Sequence, residues 1–177
     1  MELEVLKYPI GQVEIPEDIS QAMIDEAINR LEQLPSRYSK SLEHLDENQL
    51  NSPYRPNGWT IRQVVHHVAE SHMNGFIRFK WALTEDTPSI KAYHEQLWAD
   101  HTDVKDAPVA IGLHLIAALH AKWVYLMKGM TDAEWARKYF HPEADRTFML
   151  KESLIVYDWH GKHHLAHITS LRERMGW

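Results

Sequence analysis

The chain has 177 residues, 44% of them hydrophobic, with 13 histidines, no cysteine and a formal charge of −6. That length fits one domain spanning 1–177, and the apolar fraction supports a buried core, which excludes wholesale disorder. Without cysteine there is no disulfide, thiolate ligand or Cys nucleophile, which fits a reducing, cytoplasmic setting; the acidic balance gives no attraction for a polyanion, so no nucleic-acid partner is expected.

Met1 to Glu4 contain no basic region leading into an apolar run, so no signal peptide is expected. Pro9 and Gly11 mark an irregular lead-in. A helix is predicted from near Asp18 or Ser20, with Ile24, Ile28, Leu31, Tyr38, Leu42 and Leu45 forming an apolar stripe. Pro35 falls inside this pattern and is expected to kink or split the helix. Turn signals at Asn51-Ser52-Pro53 and Pro56-Asn57-Gly58 end the segment.

The second long helix has the sharpest start. Thr60 followed by Gln63 is a capping box, and the stripe Ile61, Val64, Val65, Val68, His72, Phe76, Phe79 runs to about Leu83. Residues 88–105 show no clear period and read as a long irregular stretch able to cover a site. A third helix opens near Pro108, with Val109, Leu113, Ile116, His120, Trp123 and Met127 on one face and Gly129 as its C-terminal cap. The apolar stretch from Val109 to Leu119 is broken by His114 and is shorter than the roughly 20 residues of a membrane span, so no membrane association is expected. Thr131 with Glu134 predicts a short capped helix, residues 138–149 a small hairpin, and Leu150 to Met175 the last helix. Four long helices predict an all-α four-helix bundle. Leu45–Leu50 and Met130–Trp135 echo one another, each between two long helices, as in a bundle of two similar halves.

The histidines cluster. In Trp159-His160-Gly161-Lys162-His163-His164-Leu165-Ala166-His167 two pairs stand four apart, 160 with 164 and 163 with 167. Residues so spaced lie about 40° apart around a helix, and two such imidazoles can hold one ion. The core stripe Leu150, Leu154, Tyr157, Leu165, Ile168 and Leu171 places His164 beside the core with His160 on its flank, and His163 is expected to face outward; periodicity alone leaves the other pair open. On the second helix His67 is the inward candidate and His66 points to the far side. Three neutral imidazoles with an open position is the donor set of a catalytic zinc. The zinc-protease pattern HExxH, a phosphate-binding Gly-rich loop and a Gly-x-Ser-x-Gly elbow are all missing.

The segments Trp59-Thr60-Ile61-Arg62-Gln63-Val64-Val65-His66-His67-Val68-Ala69-Glu70-Ser71-His72 and Trp159 to His167, with the ending Arg174-Met175-Gly176-Trp177, resemble the DinB-like superfamily and more closely its YfiT group of metal-dependent hydrolases from bacilli. The likeness runs over nearly the whole chain. It implies a four-helix bundle of unusual connectivity, a cytoplasmic homodimer, and one divalent ion per chain, zinc foremost and nickel as the other candidate. The family's ligand triad maps onto His67, His160 and His164. Many relatives carry Gln where this chain has His167, which leaves His167 as either a support for a ligand or a fourth nitrogen.

Three functions follow as expectations. An ion on three neutral imidazoles can lower the pKa of bound water toward neutrality and so serve hydrolysis of a small-molecule substrate. The alternatives are a thiol S-transferase of the bacillithiol type, for which Arg62, Arg78 and Lys80 are candidate anion-binding cations, and a non-catalytic metal-binding bundle. Glu70, His72, Asp158 and His163 are near the ligands in sequence, and the sequence does not choose a general base among them.

Overall fold

The computed structural model describes residues 3–177; Met1 and Glu2, half of the start read above as lacking a signal peptide, lie outside the described residues. Four long helices carry the fold: α2 (Gln21–Leu42), α4 (Ile61–Thr84), α7 (Val109–Lys128) and α9 (Leu150–Met175). Between and before them lie α1 (Leu3–Lys7), α3 (Glu47–Leu50), α5 (Glu95–Ala99), α6 (Thr102–Lys105), α8 (Asp132–Trp135) and an antiparallel hairpin, β1 (Lys138–His141) with β2 (Arg146–Met149), pairing Tyr139 with Phe148. The four-helix bundle and the small hairpin therefore stand as the sequence predicts.

Local chemistry sets the starts of the helices. Ser20 accepts from Met23 N at 3.4 Å, and Thr60 accepts from Gln63 N at 3.1 Å while Gln63 accepts from Thr60 N at 2.9 Å, so each cap satisfies backbone donors that a helix start leaves open. The echoing segments become α3 and α8, both one turn long and both opened by a capping box, Asp46 with Gln49 and Thr131 with Glu134. Gly176 closes α9 at φ 70°, a left-handed conformation that glycine adopts without a Cβ clash.

Three expectations change. Pro35 neither splits nor ends α2: the helix runs through it, and the hydrogen bond it cannot make is replaced from another helix, as described below. The stretch 88–105 holds the single-turn helices α5 and α6, both packed on α4, and Ile90 N donates to Phe140 O at 3.0 Å, tying the stretch to the hairpin. The third helix stands where predicted, between Pro108 and Gly129, but as a helix it is longer than the apolar stretch used to argue against a membrane span. α7 has 20 residues and holds an 18-residue window with a mean hydropathy of 1.5, long and apolar enough to cross a membrane by those measures, but it packs along α2 and α4 and buries Ile116, Trp123, Val124 and Met127. Its length exceeds the stretch because His120, Lys122 and Lys128 continue the helix without continuing the apolar run.

The long helices pack in the cyclic order α2–α7–α4–α9, so of the three consecutive pairs α4 and α7 are adjacent, while α2 with α4 and α7 with α9 stand across the diagonal. The core is continuous through Leu31, Leu34, Tyr38, Val64, Val68, Phe79, Ile116, Trp123, Leu154 and Ile168. Gly75 on α4 lets α7 and α9 close on it: a Cβ there would stand 2.5 Å from Tyr157 Cζ and 2.7 Å from Trp123 Cη2. Overpacking of this kind costs about 1–3 kcal/mol, more than alanine's helix propensity returns. Gly75→Ala is therefore expected to lower the urea midpoint of unfolding, and a midpoint equal to wild type would contradict the close packing at this crossing.

Candidate metal centre

The adjacent helices α4 and α9 bring His67, His160 and His164 together, with one ring nitrogen of each lying within 4.8 Å of the others. His67 Nε2 and His160 Nε2 are 3.2 Å apart. Two nitrogens at the ordinary zinc distance of about 2.0–2.1 Å in a tetrahedral shell are separated by about 3.3 Å, so this spacing fits a shared ion. The charge state fits as well. Burial holds the His67 ring down to about 4, with the His163 and His167 rings adding to the shift, and burial pushes His160 and His164 well below the ordinary imidazole value of 6.5. All three rings are neutral near pH 7, the form that coordinates a metal.

The residues around the cluster hold it in place. The Trp59 ring lies 4.5 Å from His67 and 6.2 Å from His164, centroid to centroid, and its Nε1–H donates to Gln96 Oε1 at 3.2 Å, which fastens it to α5. Trp59, Ser71, Arg78, Tyr93, Glu95, His141 and Trp159 line, with the cluster, a cavity of about 340 Å³. A larger cavity of about 650 Å³ shares Arg78 and His141 with it and reaches Val13, Arg146, Phe148 and Tyr157. Arg78 donates to the Tyr157 hydroxyl at 3.1 Å, and its buried Nε has no partner among the described residues.

His163 corrects its expected place. It is only 6% exposed, stacked on Trp159 at 4.4 Å and 5.8 Å from Tyr8, because the lead-in folds over the face of α9 that periodicity alone assigns to solvent. Its ring lines the smaller cavity, and burial lowers it to about 4. It also belongs to a second cluster: His163, His164 and His167 place one nitrogen each within 4.8 Å. His167 faces away from the cavity, however, its ring stacked on Tyr54 at 3.8 Å and its Nε2 lying 2.9 Å from Lys7 O. The triad His67, His160 and His164 is the one that opens onto the cavity. His66, as predicted, points elsewhere, toward Gly112 of α7.

Two of the four candidate bases are already engaged. Asp158, 4% exposed, accepts from Arg30 and from Lys162 Nζ at 2.8 Å. His72 is fully buried, with ring nitrogens 3.1 Å from His160 Nδ1 and 2.9 Å from His120 Nε2. Glu70, pushed up to about 7 by burial and by Asp103, lines a different cavity with Trp98 and His101. Of Arg62, Arg78 and Lys80, Arg78 alone reaches the centre; Arg62 is buried against Asn51, Ala107 and Glu47, and Lys80 is exposed. The sequence reading missed the link from His72 to His120. Its only signal was a lone histidine in the stripe of α7, which also describes an ordinary core residue.

A neutral imidazole cluster opening onto a cavity between two helices defines a metal-binding four-helix bundle. The DinB superfamily profile matches residues 30–168. YfiT of Bacillus subtilis (strain 168), provisionally named a metal-dependent hydrolase, is 44% identical over 172 residues covering 97% of both chains. A relative from Bacillus mycoides with the same provisional name is 46% identical over 97% of this chain and 98% of its own. The solved structure of B. subtilis YfiT, described as a four-helix bundle of unusual topology, superposes with a TM-score of 0.96 over 98% of this chain and 99% of that one. The chain belongs to the DinB superfamily and, within it, to the YfiT group. A more distant likeness, to a mutant mycothiol-dependent maleylpyruvate isomerase at 18% identity and a TM-score of 0.61 over 76% of this chain and 56% of the other, concerns the fold alone.

The neutral rings make folding sensitive to acid. His67, His163 and His167 titrate near 4 in the folded chain against 6.5 ordinarily. Between these values the unfolded chain binds more protons, so stability is full above about pH 6.5 and falls as the pH drops toward 4, at up to about 1.4 kcal/mol per pH unit for each ring. Metal-free protein is expected to show a lower urea midpoint at pH 5 than at pH 7.5, and equal midpoints would contradict the buried neutral rings.

Proposed function

We propose that this protein is a metal-dependent hydrolase whose divalent ion, zinc foremost and nickel as the other candidate, is held one per chain by His67, His160 and His164. The observation that carries this reading is the triad itself: three neutral ring nitrogens within 4.8 Å, opening onto a cavity. The names of the Bacillus relatives support it. When bound, the ion supplies Lewis acidity that lowers the pKa of water toward neutrality. The chain's own residues do the rest. Trp59 and Trp159 shield the ligands, Tyr93 and Glu95 border the opening, and Arg78 offers an unpaired donor where the two cavities meet.

Arg78 also favours a second reading, a metal-dependent thiol S-transferase, in which its guanidinium receives an anionic group of the thiol and the metal lowers the pKa of the incoming thiol. The two readings separate by assay. His67→Ala, His160→Ala and His164→Ala should each remove most bound metal, measured by element-specific analysis of protein purified without a metal column, while His163→Ala should keep it near one per chain. A panel of esters and amides should turn over without added thiol and stop with chelator or with His164→Ala. Turnover only on adding a bacillithiol-type thiol, with the thiol consumed one for one, would move the assignment to the transferase; full metal in His160→Ala would sink the site.

We further propose that the chain is a homodimer joined through the outer face of α7. Ile111, Leu115 and Tyr125, exposed by 56%, 39% and 85%, lie at helical spacing on that face. Sedimentation at micromolar concentration should give about twice the 20.8 kDa chain mass, and Leu115→Glu should shift the population to monomer. A monomer in wild type would refute it.

A further inference from the structure

We propose that two chains of hydrogen-bonded imidazoles, each ending on a backbone carbonyl, fix the proton positions of His160 and His164 so that both present a bare Nε2 to the metal. This makes His72, His120 and His167 positioning residues of the centre, and it rests on the His67–His160–His164 reading above.

Each proton can be placed by elimination. A neutral imidazole carries one N–H, donating through one nitrogen and accepting through the other. His120 Nδ1 lies 2.7 Å from Leu31 O, and a carbonyl can only accept, so His120 carries its proton on Nδ1 and its Nε2 is an acceptor. His72 Nδ1, 2.9 Å away, must then donate to it, which leaves His72 Nε2 as an acceptor. His160 Nδ1, at 3.1 Å, must donate to that atom, which leaves His160 Nε2 without a proton. The shorter chain has the same logic. His167 Nε2 donates to Lys7 O at 2.9 Å, so its Nδ1 accepts from His164 Nδ1 at 3.3 Å, and His164 Nε2 is bare.

Pro35 supplies the end of the longer chain. In α2 the Leu31 carbonyl would ordinarily accept from the N–H of residue 35, and proline has none. The freed carbonyl is satisfied by His120 instead. The chain thus starts from a gap in α2, crosses α7 and α4 through His120 and His72, and reaches the ligand on α9.

Partners of this kind typically change metal affinity by 10- to 100-fold when removed. His72→Phe and His167→Phe should weaken zinc binding by that factor in a chelator competition. Glutamine, whose amide accepts through oxygen and donates through nitrogen, should restore affinity to within a few-fold of wild type at 72 and 167. The second measurement needs no variant. In metal-free wild type at pH 7.5, long-range ¹H–¹⁵N spectra should show His72, His120, His160 and His164 protonated on Nδ1 and His167 on Nε2. A proton on Nε2 of His72 or His160, or phenylalanine variants that fold and bind zinc as tightly as wild type, would overturn the proposal. Zinc retained by His160→Ala would overturn the metal reading and, with it, the role given to the chains. Wrong tautomers with zinc lost from His160→Ala would overturn the chains alone.

Discussion

An imidazole taken out of water needs a partner for both of its nitrogens, and this bundle takes seven of its histidines almost completely out of water, at positions 66, 67, 72, 120, 163, 164 and 167. An apolar four-helix core offers few acceptors, because its backbone carbonyls are used within the helices. Much of the arrangement follows from that shortage. His72 and His120 satisfy each other, His164 and His167 do the same, and each chain ends at a carbonyl that a regular helix interior does not supply: Leu31, released by Pro35, and Lys7, at the last turn of α1. His66 Nε2 and His163 Nδ1 stay buried without a partner among the described residues, while one nitrogen each of His67, His160 and His164 lies within 4.8 Å of the others, where a cation can take the place of a proton.

The diagonal order of the bundle makes this convergence available. If consecutive helices packed side by side in chain order, α4 and α9 would stand across the diagonal and would not touch. Here α9 packs between α2 and α4, so ligands on α4 and α9 share a groove while Leu31 of α2 remains reachable through α7. Gly75 and Gly161 permit the approach: a side chain at Gly75 would strike Tyr157 and Trp123, and one at Gly161 would strike Leu34.

Much of this was legible in the residues. The Thr60 capping box and the stripe from Ile61 to Phe79 located α4, and helical spacing favoured His67, His160 and His164 in a crowded set while leaving the 163 and 167 pair open. What periodicity could not supply was long-range. It assigned His163 to solvent because the stripe of α9 faces the bundle, with no account of the lead-in lying across the other side. It expected Pro35 to disrupt α2 because the donor that compensates at the Leu31 carbonyl stands 89 residues from Leu31, on α7. It read His120 as core, which by burial it is; only the neighbouring ring distinguishes a packed histidine from a connected one.

The lead-in has a consequence for handling the molecule. Lys7 O holds His167, Gly11 O accepts from Trp159 Nε1 at 3.2 Å, and Val13, Ile15, Pro16 and Glu17 wall the larger cavity. A segment of about a dozen residues at one end of the chain therefore braces the last helix at the other end and shapes the space a reactant would enter. Truncated or N-terminally fused forms that loosen this strap would take away the acceptors of His167 and Trp159 and a wall of the larger cavity together, so the position of a purification tag is a chemical variable for this protein.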